Sequence, residues 1–338
     1  MTLISVEQAI EDIKQGKMLV MVDDEDRENE GDIVFAATFS DTEKINFTIT
    51  HAKGVLCTPI SEEIAKKLNL TPMVSSNTSS HETAFTVTID AKEATTGVSA
   101  YERDMTIKLM CSPTTTPEDF VRPGHIFPLI AKNGGVLVRT GHTEGCVDLC
   151  KLAGLMEVAI CCEIIKDDGT MARRDDLKLF CKKFGLNMVA ISDIVKYRLQ
   201  NETLINVDNP VDTLLCGYNV KKYEIKDHLS RTHFAFVFGS LDKRCVVKFE
   251  KISSNVEFMS SKKYDDLTKS LEILNQKGGI LLFLDDGRDS KNLIKDYGIG
   301  AQILKHFGIT QIDMISSSSK KEFVGIKGFN LDIVSYIN

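Results

Sequence analysis

The sequence predicts an α/β chain built of mixed α+β layers and divided into two units, and three observations carry that prediction. Short apolar runs of strand length alternate with stretches of helical period. The length, 338 residues, exceeds what one core usually holds. Near residues 200–210 the chain turns polar (Asn201, Asn206, Asp208, Asn209), which sets the boundary between units 1–199 and 200–338.

Taken in order, Ser5 with Gln8 makes a capping-box start, and Val6, Ala9, Ile10 and Ile13 share one helical face until Gly16 stops it. Residues 18–22 and 33–37 are apolar runs of strand length. Asp41 opens a second helix that Gly54 ends; 55–57 reads as a strand and 85–89 alternates like one. Residues 135–138 are expected as a short strand, 148–155 as a helix, 158–165 as a buried strand, and 175–184 as an amphipathic helix stopped by Gly185. In the second unit, 280–284 reads as a buried strand and 300–307 as a helix, while residues 324–326 suggest further core.

Composition narrows the function classes. Apolar residues make up 43% and charged ones 26%, an ordinary soluble balance. No run approaches eighteen apolar residues, and Glu7, Glu11 and Asp12 interrupt the beginning of the chain, so neither a membrane span nor a secretory signal is expected and the location reads as cytoplasmic. The net charge of −7 divides into −8 for residues 1–199 and +1 for the remainder. Neither unit has the basic excess of a nucleic-acid binder. Nine cysteines without a CxxC pair, among them Cys161 and Cys162 inside an apolar run, read as reduced core thiols. Cys146 and Cys150, spaced i, i+4 without further partners, read the same way.

Between the first two strands lies a loop, Asp23-Asp24-Glu25-Asp26-Arg27-Glu28-Asn29-Glu30-Gly31-Asp32, with seven carboxylates in ten residues. Most charge runs are solvated surface turns. Here two apolar strands pin both ends, and so much like charge costs free energy unless cations compensate. Oxygen donors suit Mg²⁺ or Mn²⁺. A calcium EF-hand fails on register: counting from Asp24, the sixth position is Asn29 and the twelfth Phe35. Taken alone, His125 after Pro-Gly reads as a turn residue. His142 in Gly-His-Thr-Glu sits in a turn suited to phosphate, and Glu163 is a carboxylate at the end of an apolar strand. Cys57 lines either the core or a pocket.

Asp26-Arg27-Glu28-Asn29-Glu30-Gly31-Asp32 resembles the signature loop of the 3,4-dihydroxy-2-butanone 4-phosphate synthases of riboflavin biosynthesis. Further matches follow in order: Thr96-Gly97-Val98-Ser99-Ala100, Arg122-Pro123-Gly124-His125, Arg139-Thr140-Gly141-His142-Thr143-Glu144 and Cys162-Glu163, so the likeness covers residues 1–199. One departure is Glu102, where the family often has Asp. The resemblance implies conversion of D-ribulose 5-phosphate to a four-carbon phosphate and formate through an enediol, loss of water and a skeletal rearrangement. It implies two divalent ions, Mg²⁺ or Mn²⁺, on Glu28 and His142. Arg27, Glu28, Asp32, Arg139, Thr140, Gly141, His142, Thr143 and Glu163 would contact substrate, with Arg139 and Thr143 at the phosphate. His125 and Glu163 would do acid–base work. A ligand imidazole must be unprotonated, so activity is expected to fall below about pH 6. A homodimer with sites near the subunit interface is also implied.

Residues 201–338 resemble a distant GTP cyclohydrolase II in Asp296-Tyr297-Gly298-Ile299-Gly300-Ala301-Gln302-Ile303-Leu304 and in Val237-Phe238-Gly239-Ser240-Leu241. That enzyme's zinc needs three cysteines around the Phe-Gly-Ser-Leu element. Here Arg231-Thr232-His233-Phe234-Ala235 precedes it and Cys245 follows, so no zinc and no ring-opening activity are expected. The competing readings are a bifunctional enzyme that keeps the cyclohydrolase reaction and a non-catalytic metal- or nucleotide-binding regulator. Retention of the whole set Arg27 to Glu163 argues against the regulator.

Overall fold

A computed structural model of the chain describes residues 3–252, 263–285, 293–316 and 331–337. The chain divides into two compact units, Met1–Val195 and Lys196–Asn338. The division falls inside a helix, α7 (Ile191–Asn201), upstream of the polar stretch at 200–210.

The first unit carries α1 (Val6–Lys14), β1 (Leu19–Val22), β2 (Gly31–Ala36), α2 (Thr42–His51), β3 (Cys57–Ile60), α3 (Glu62–Lys67) and β4 (Ile89–Ala91). It continues with α4 (Ala100–Met110), β5 (Phe120–Ile130), α5 (His142–Leu152), β6 (Ala159–Glu163), α6 (Arg174–Phe184) and β7 (Asn187–Ala190). The seven strands form one mixed sheet in the order β4-β5-β3-β6-β2-β1-β7. β1 and β2 pair antiparallel, and every residue of both is buried, which explains why they are apolar apart from Asp32 at the loop end of β2. Phe35, Ile33, Ile45 and Ile126 are fully buried in the core, and each such side chain contributes about 1.5–3 kcal/mol over exposure.

Local chemistry explains the helix ends. Ser5 Oγ accepts the Gln8 N–H at 3.3 Å, but the Gln8 amide donates to Asp12 at 3.1 Å, so half of the expected capping box forms. Gly16 is left-handed, with φ of 70°, and a Cβ there would lie 2.8 Å from the Phe39 ring. Residues 135–138 form no strand. Left-handed Gly134 and Gly135 turn them into a 3₁₀ turn, Gly135–Leu137, and Asp148 Oδ2 accepts the Val136 N–H at 2.8 Å. The helix expected at 148–155 starts earlier, at His142, because Gly141 serves as its N-cap and residues 142–150 are all buried, erasing any amphipathic pattern.

The second unit is a separate eight-stranded sheet in the order β15-β14-β12-β13-β11-β10-β8, with β9 also on β10. Its strands are β8 (Ile205–Val207), β9 (Val211–Leu215), β10 (Tyr218–Asp227), β11 (Thr232–Phe238), β12 (Arg244–Lys251), β13 (Gly279–Leu284), β14 (Gln311–Ile315) and β15 (Asp332–Ile337). The run at 280–284 falls in β13, and 300–306 belongs to the helix Leu293–His306, with Phe307 just beyond its end. Residues 324–326 lie outside the described residues. Among the described residues no helix is long and apolar enough to cross a membrane.

Candidate active site and metal centre

The acidic loop, residues 23–30, joins antiparallel β1 and β2, whose last pair is Val22 and Gly31. Its organiser is Asp23, which is 2% exposed. Asp23 Oδ1 accepts the Glu30 N–H at 2.8 Å, while Oδ2 accepts the Glu28 N–H at 3.0 Å and the Arg27 guanidinium at 2.9 Å. Arg27 also pairs with Glu28 at 2.7 Å. Arg173, just ahead of α6, donates to the carbonyls of Glu28 and Asn29 at 2.7 and 2.6 Å. Arginine forks thus offset the like charge that the loop concentrates.

His142 opens α5 and aims at this loop. Its Nδ1 is 3.6 Å from Glu28 Oε2 and its Nε2 is 3.8 Å from Asp32 Oδ1. His142 Nε2 and Asp32 Oδ1 are both buried without a hydrogen-bond partner, an arrangement that normally costs free energy. Asp32 stands opposite Glu163 in the β2–β6 register, and Glu163 Oε2 accepts the Val55 N–H at 2.9 Å. Gly54 makes room for that carboxylate, since a Cβ there would meet Glu163 Oε2 and its carbonyl oxygen, each at 2.5 Å.

The charges are strongly coupled. Burial would raise the Glu28 carboxyl, but His142 and Arg27 outweigh it and hold it down at about 2. Burial lifts Asp32 to about 6 against the pull of His142, with Glu163 adding to the rise. Burial opposes charging His142, yet Asp32, Glu28 and Asp23 together raise it to about 9. Without a metal these carboxylates favour the protonated imidazole, so a proton would have to leave His142 before the ring could serve as a ligand.

Asp23, Glu28 and His142 offer ligand atoms within 4.8 Å of one another. Asp23 already accepts three protein donors, so Glu28 and His142 are the side chains freer to hold a cation, with Asp32 beside them. A neutral imidazole and carboxylate oxygens fit a divalent ion, which would also satisfy the two orphaned atoms.

The remaining residues from the sequence are grouped less tightly. Arg139 donates to Glu144 at 2.5 Å, to the His81 carbonyl at 3.0 Å and to Thr83 Oγ1 at 2.9 Å. Gly141 approaches its guanidinium so closely that a Cβ would lie 2.2 Å away. Thr140 precedes the N-cap, and Thr143 is buried in the first turn of α5, whose free backbone N–H groups favour anions. His125 lies on β5, two strands from β6. Its Nδ1 is 2.7 Å from Asp90 Oδ2, and its N–H donates to Asp90 Oδ1 at 2.8 Å. Glu102, with its extra methylene, accepts the backbone N–H groups of Thr95, Thr96 and Gly97 and the hydroxyl of Ser99. Those bonds, led by Thr95, hold its carboxyl at about 2. The loop so fixed places Gly97 against Asp90, where a Cβ would lie 2.0 Å from the carboxylate. On β3, burial and the Glu163 charge push the Cys57 thiol far above its usual range, as expected of an inert buried thiol.

Sequence reasoning passed over Asp23, Asp90 and Arg173. Asp23 carried a signal, as the first acid after a fully apolar strand. An aspartate closing the alternating run 85–89 was a weaker one, and nothing marked Arg173.

Residues 7–197 match the family described as 3,4-dihydroxy-2-butanone 4-phosphate synthase. The chain belongs to that family. A relative from Sulfurospirillum multivorans described by the same words is 54% identical over 99% of this chain and 95% of its own length. A crystal structure of RibBX, a two-domain 3,4-dihydroxy-2-butanone 4-phosphate synthase from A. baumannii, is similar over 99% of both chains with a TM-score of 0.84 and 37% identity. A structure of a synthase in complex with two magnesium ions covers 59% of this chain and 98% of its own, with a TM-score of 0.57 and 36% identity. Family membership makes the chain an enzyme, a lyase of riboflavin biosynthesis. Residues 288–338 match GTP cyclohydrolase II.

Proposed function

We propose that residues 1–199 convert D-ribulose 5-phosphate to L-3,4-dihydroxy-2-butanone 4-phosphate and formate. The observation that carries this reading is the buried meeting of Glu28, Asp32 and His142, with two orphaned polar atoms facing each other. Glu28 and His142 would hold Mg²⁺ or Mn²⁺, which supplies charge stabilisation for adjacent substrate oxygens when bound. Two such ions per site are the expectation, and the magnesium-bound neighbour supports it.

The two products together contain the atoms of ribulose 5-phosphate, so water lost early is taken up again and no co-substrate is needed. The work left to the protein is proton transfer and orientation. Asp32, lifted to about 6, can exchange a proton near neutral pH. Glu163 stands across from it, and His125, with Nδ1 on Asp90, presents Nε2 as the exchanging atom. Arg27 orients substrate beside the loop. Arg139, Thr140, Gly141 and Thr143 form the phosphate end, where the arginine must exchange its contacts to His81 and Thr83 for phosphate oxygens. Formate release assayed with Mg²⁺, with EDTA and with Glu28→Ala tests the reading. Metal-dependent formate that disappears in the variant is expected; a folded, metal-loaded protein releasing none overturns it.

The second unit, residues 200–338, is read as a degenerate cyclohydrolase with a supporting role, in a cytoplasmic homodimer. Cys216 and Cys245 are its two cysteines; the first is exposed, and burial pushes the second up to about 11. Zinc-dependent opening of GTP by the purified protein would refute the loss of that activity. Ending the chain after Asn201 should lower the melting temperature while sparing formate release, and an unchanged melting temperature would refute the supporting role.

A further inference from the structure

One oxygen of Asp32 is tied and the other is free. Oδ2 lies 2.7 Å from the Cys161 sulfur. Oδ1 is buried without a partner, 3.8 Å from the equally unpartnered His142 Nε2. Strand register creates the contact. Asp32 pairs with Glu163 and Val34 with Cys161, so Asp32 and Cys161 share one face of the sheet, a diagonal step apart. A carboxylate turns about a broad, roughly two-fold terminal torsion, and the backbone alone does not decide the angle at which its plane meets the site. A donor placed on one oxygen does decide it.

Cys161 is buried at 4% exposure. A hydrogen bond with the Cys146 thiol, burial and the Asp32 charge all push its pKa well above the usual thiol value, so the sulfur keeps its proton, and the 2.7 Å contact makes Asp32 Oδ2 its acceptor. Cys146 lies one helical turn beyond His142 on α5, which ties the thiol pair to the same wall of the site.

From this geometry we infer that Cys161 is a positioning residue: its S–H holds Asp32 Oδ2 and thereby aims Oδ1 into the space shared with His142. The inference rests on the proposed substrate role of Asp32. A thiol is a weak donor in water, but an ionised acceptor in a buried setting strengthens the bond.

The test uses the full-length protein with Cys161→Ser, Cys161→Ala, Cys161→Val and Asp32→Asn. The wild-type minus Cys161→Ala infrared difference isolates the Cys161 S–H stretch, which should be red-shifted and should move to higher frequency in Asp32→Asn. In steady state, the alanine and valine variants should lose about tenfold or more in kcat with a smaller change in KM, as expected for a misaimed group. The serine variant, which keeps a donor, should stay within about threefold of wild type. An S–H band that Asp32→Asn leaves unmoved overturns the inference, as does a wild-type kcat for Cys161→Ala or an equal loss in all three Cys161 variants. Absence of formate from the wild type would overturn the lyase reading instead, and the infrared band would then decide the role of the thiol without turnover.

Discussion

On the proposed ligand set, a proton and a divalent cation would compete for His142. Its carboxylate neighbours raise the imidazole to about 9. At pH 7 only about one molecule in a hundred then has a neutral ring, and freeing it costs about 2.7 kcal/mol. Binding of Mg²⁺ at pH 7 should therefore expel close to one proton. Glu28, held at about 2, is already ionised and adds none. Apparent affinity should climb about tenfold per pH unit between about 6.5 and 8.5 and level off above about 9. Calorimetric titration of Mg²⁺ in buffers of differing ionisation heat counts the protons, and repeating it across pH gives the slope. A count near zero at pH 7, or a flat affinity over that range, would refute His142 as a ligand.

Three further outcomes follow from the same geometry. Asp90→Asn exchanges the acceptor on His125 Nδ1 for a group that permits the wrong tautomer, so kcat should fall by on the order of 10²-fold or more with the melting temperature nearly unchanged; undiminished kcat would remove His125 from the acid–base work. Gly54→Ala drives a methyl into Glu163 and should lower both melting temperature and kcat, the latter by about tenfold or more; kinetics like the wild type would show that the Glu163 carboxylate need not be fixed. Without metal, the stability contributed by His142 is fully present below its unfolded value of 6.5 and is lost as pH rises through about 9. Melting temperature should fall across that window in EDTA, and a rise there would contradict the assigned charge.

The acidic loop was legible because the apolar runs 18–22 and 33–37 bracket it, and two buried strands leave the loop little freedom of placement. The strand at 158–165 was legible for the same reason, as β6 is buried from Ala159 through Cys162. Helix α4 was not. It buries Glu102, Asp104 and Thr106 along with Ile107 and Met110, so polar residues occupy the inward face and blur the helical period. The segment Arg122-Pro123-Gly124-His125 reads as a turn from composition, yet it runs through the middle of β5. There Gly124 passes so close to Ile89 and Asp90 that a Cβ would lie 2.0 Å from the Ile89 backbone. The partnership of Asp90 with His125 depends on β4 pairing with β5, a non-local register that no single stretch of sequence encodes.

Glu28 and His142 lie far apart in the first unit's chain, one in a hairpin loop and one at a helix start. An unfolded chain holds them far apart, so a cation held by both, as proposed, would bind the folded protein in preference to the unfolded one. At a free concentration a hundred times its dissociation constant, such a ligand adds about 2.7 kcal/mol to folding. Magnesium supply would then set not only turnover but also lifetime, because proteases draw on the unfolded fraction that the ion depletes.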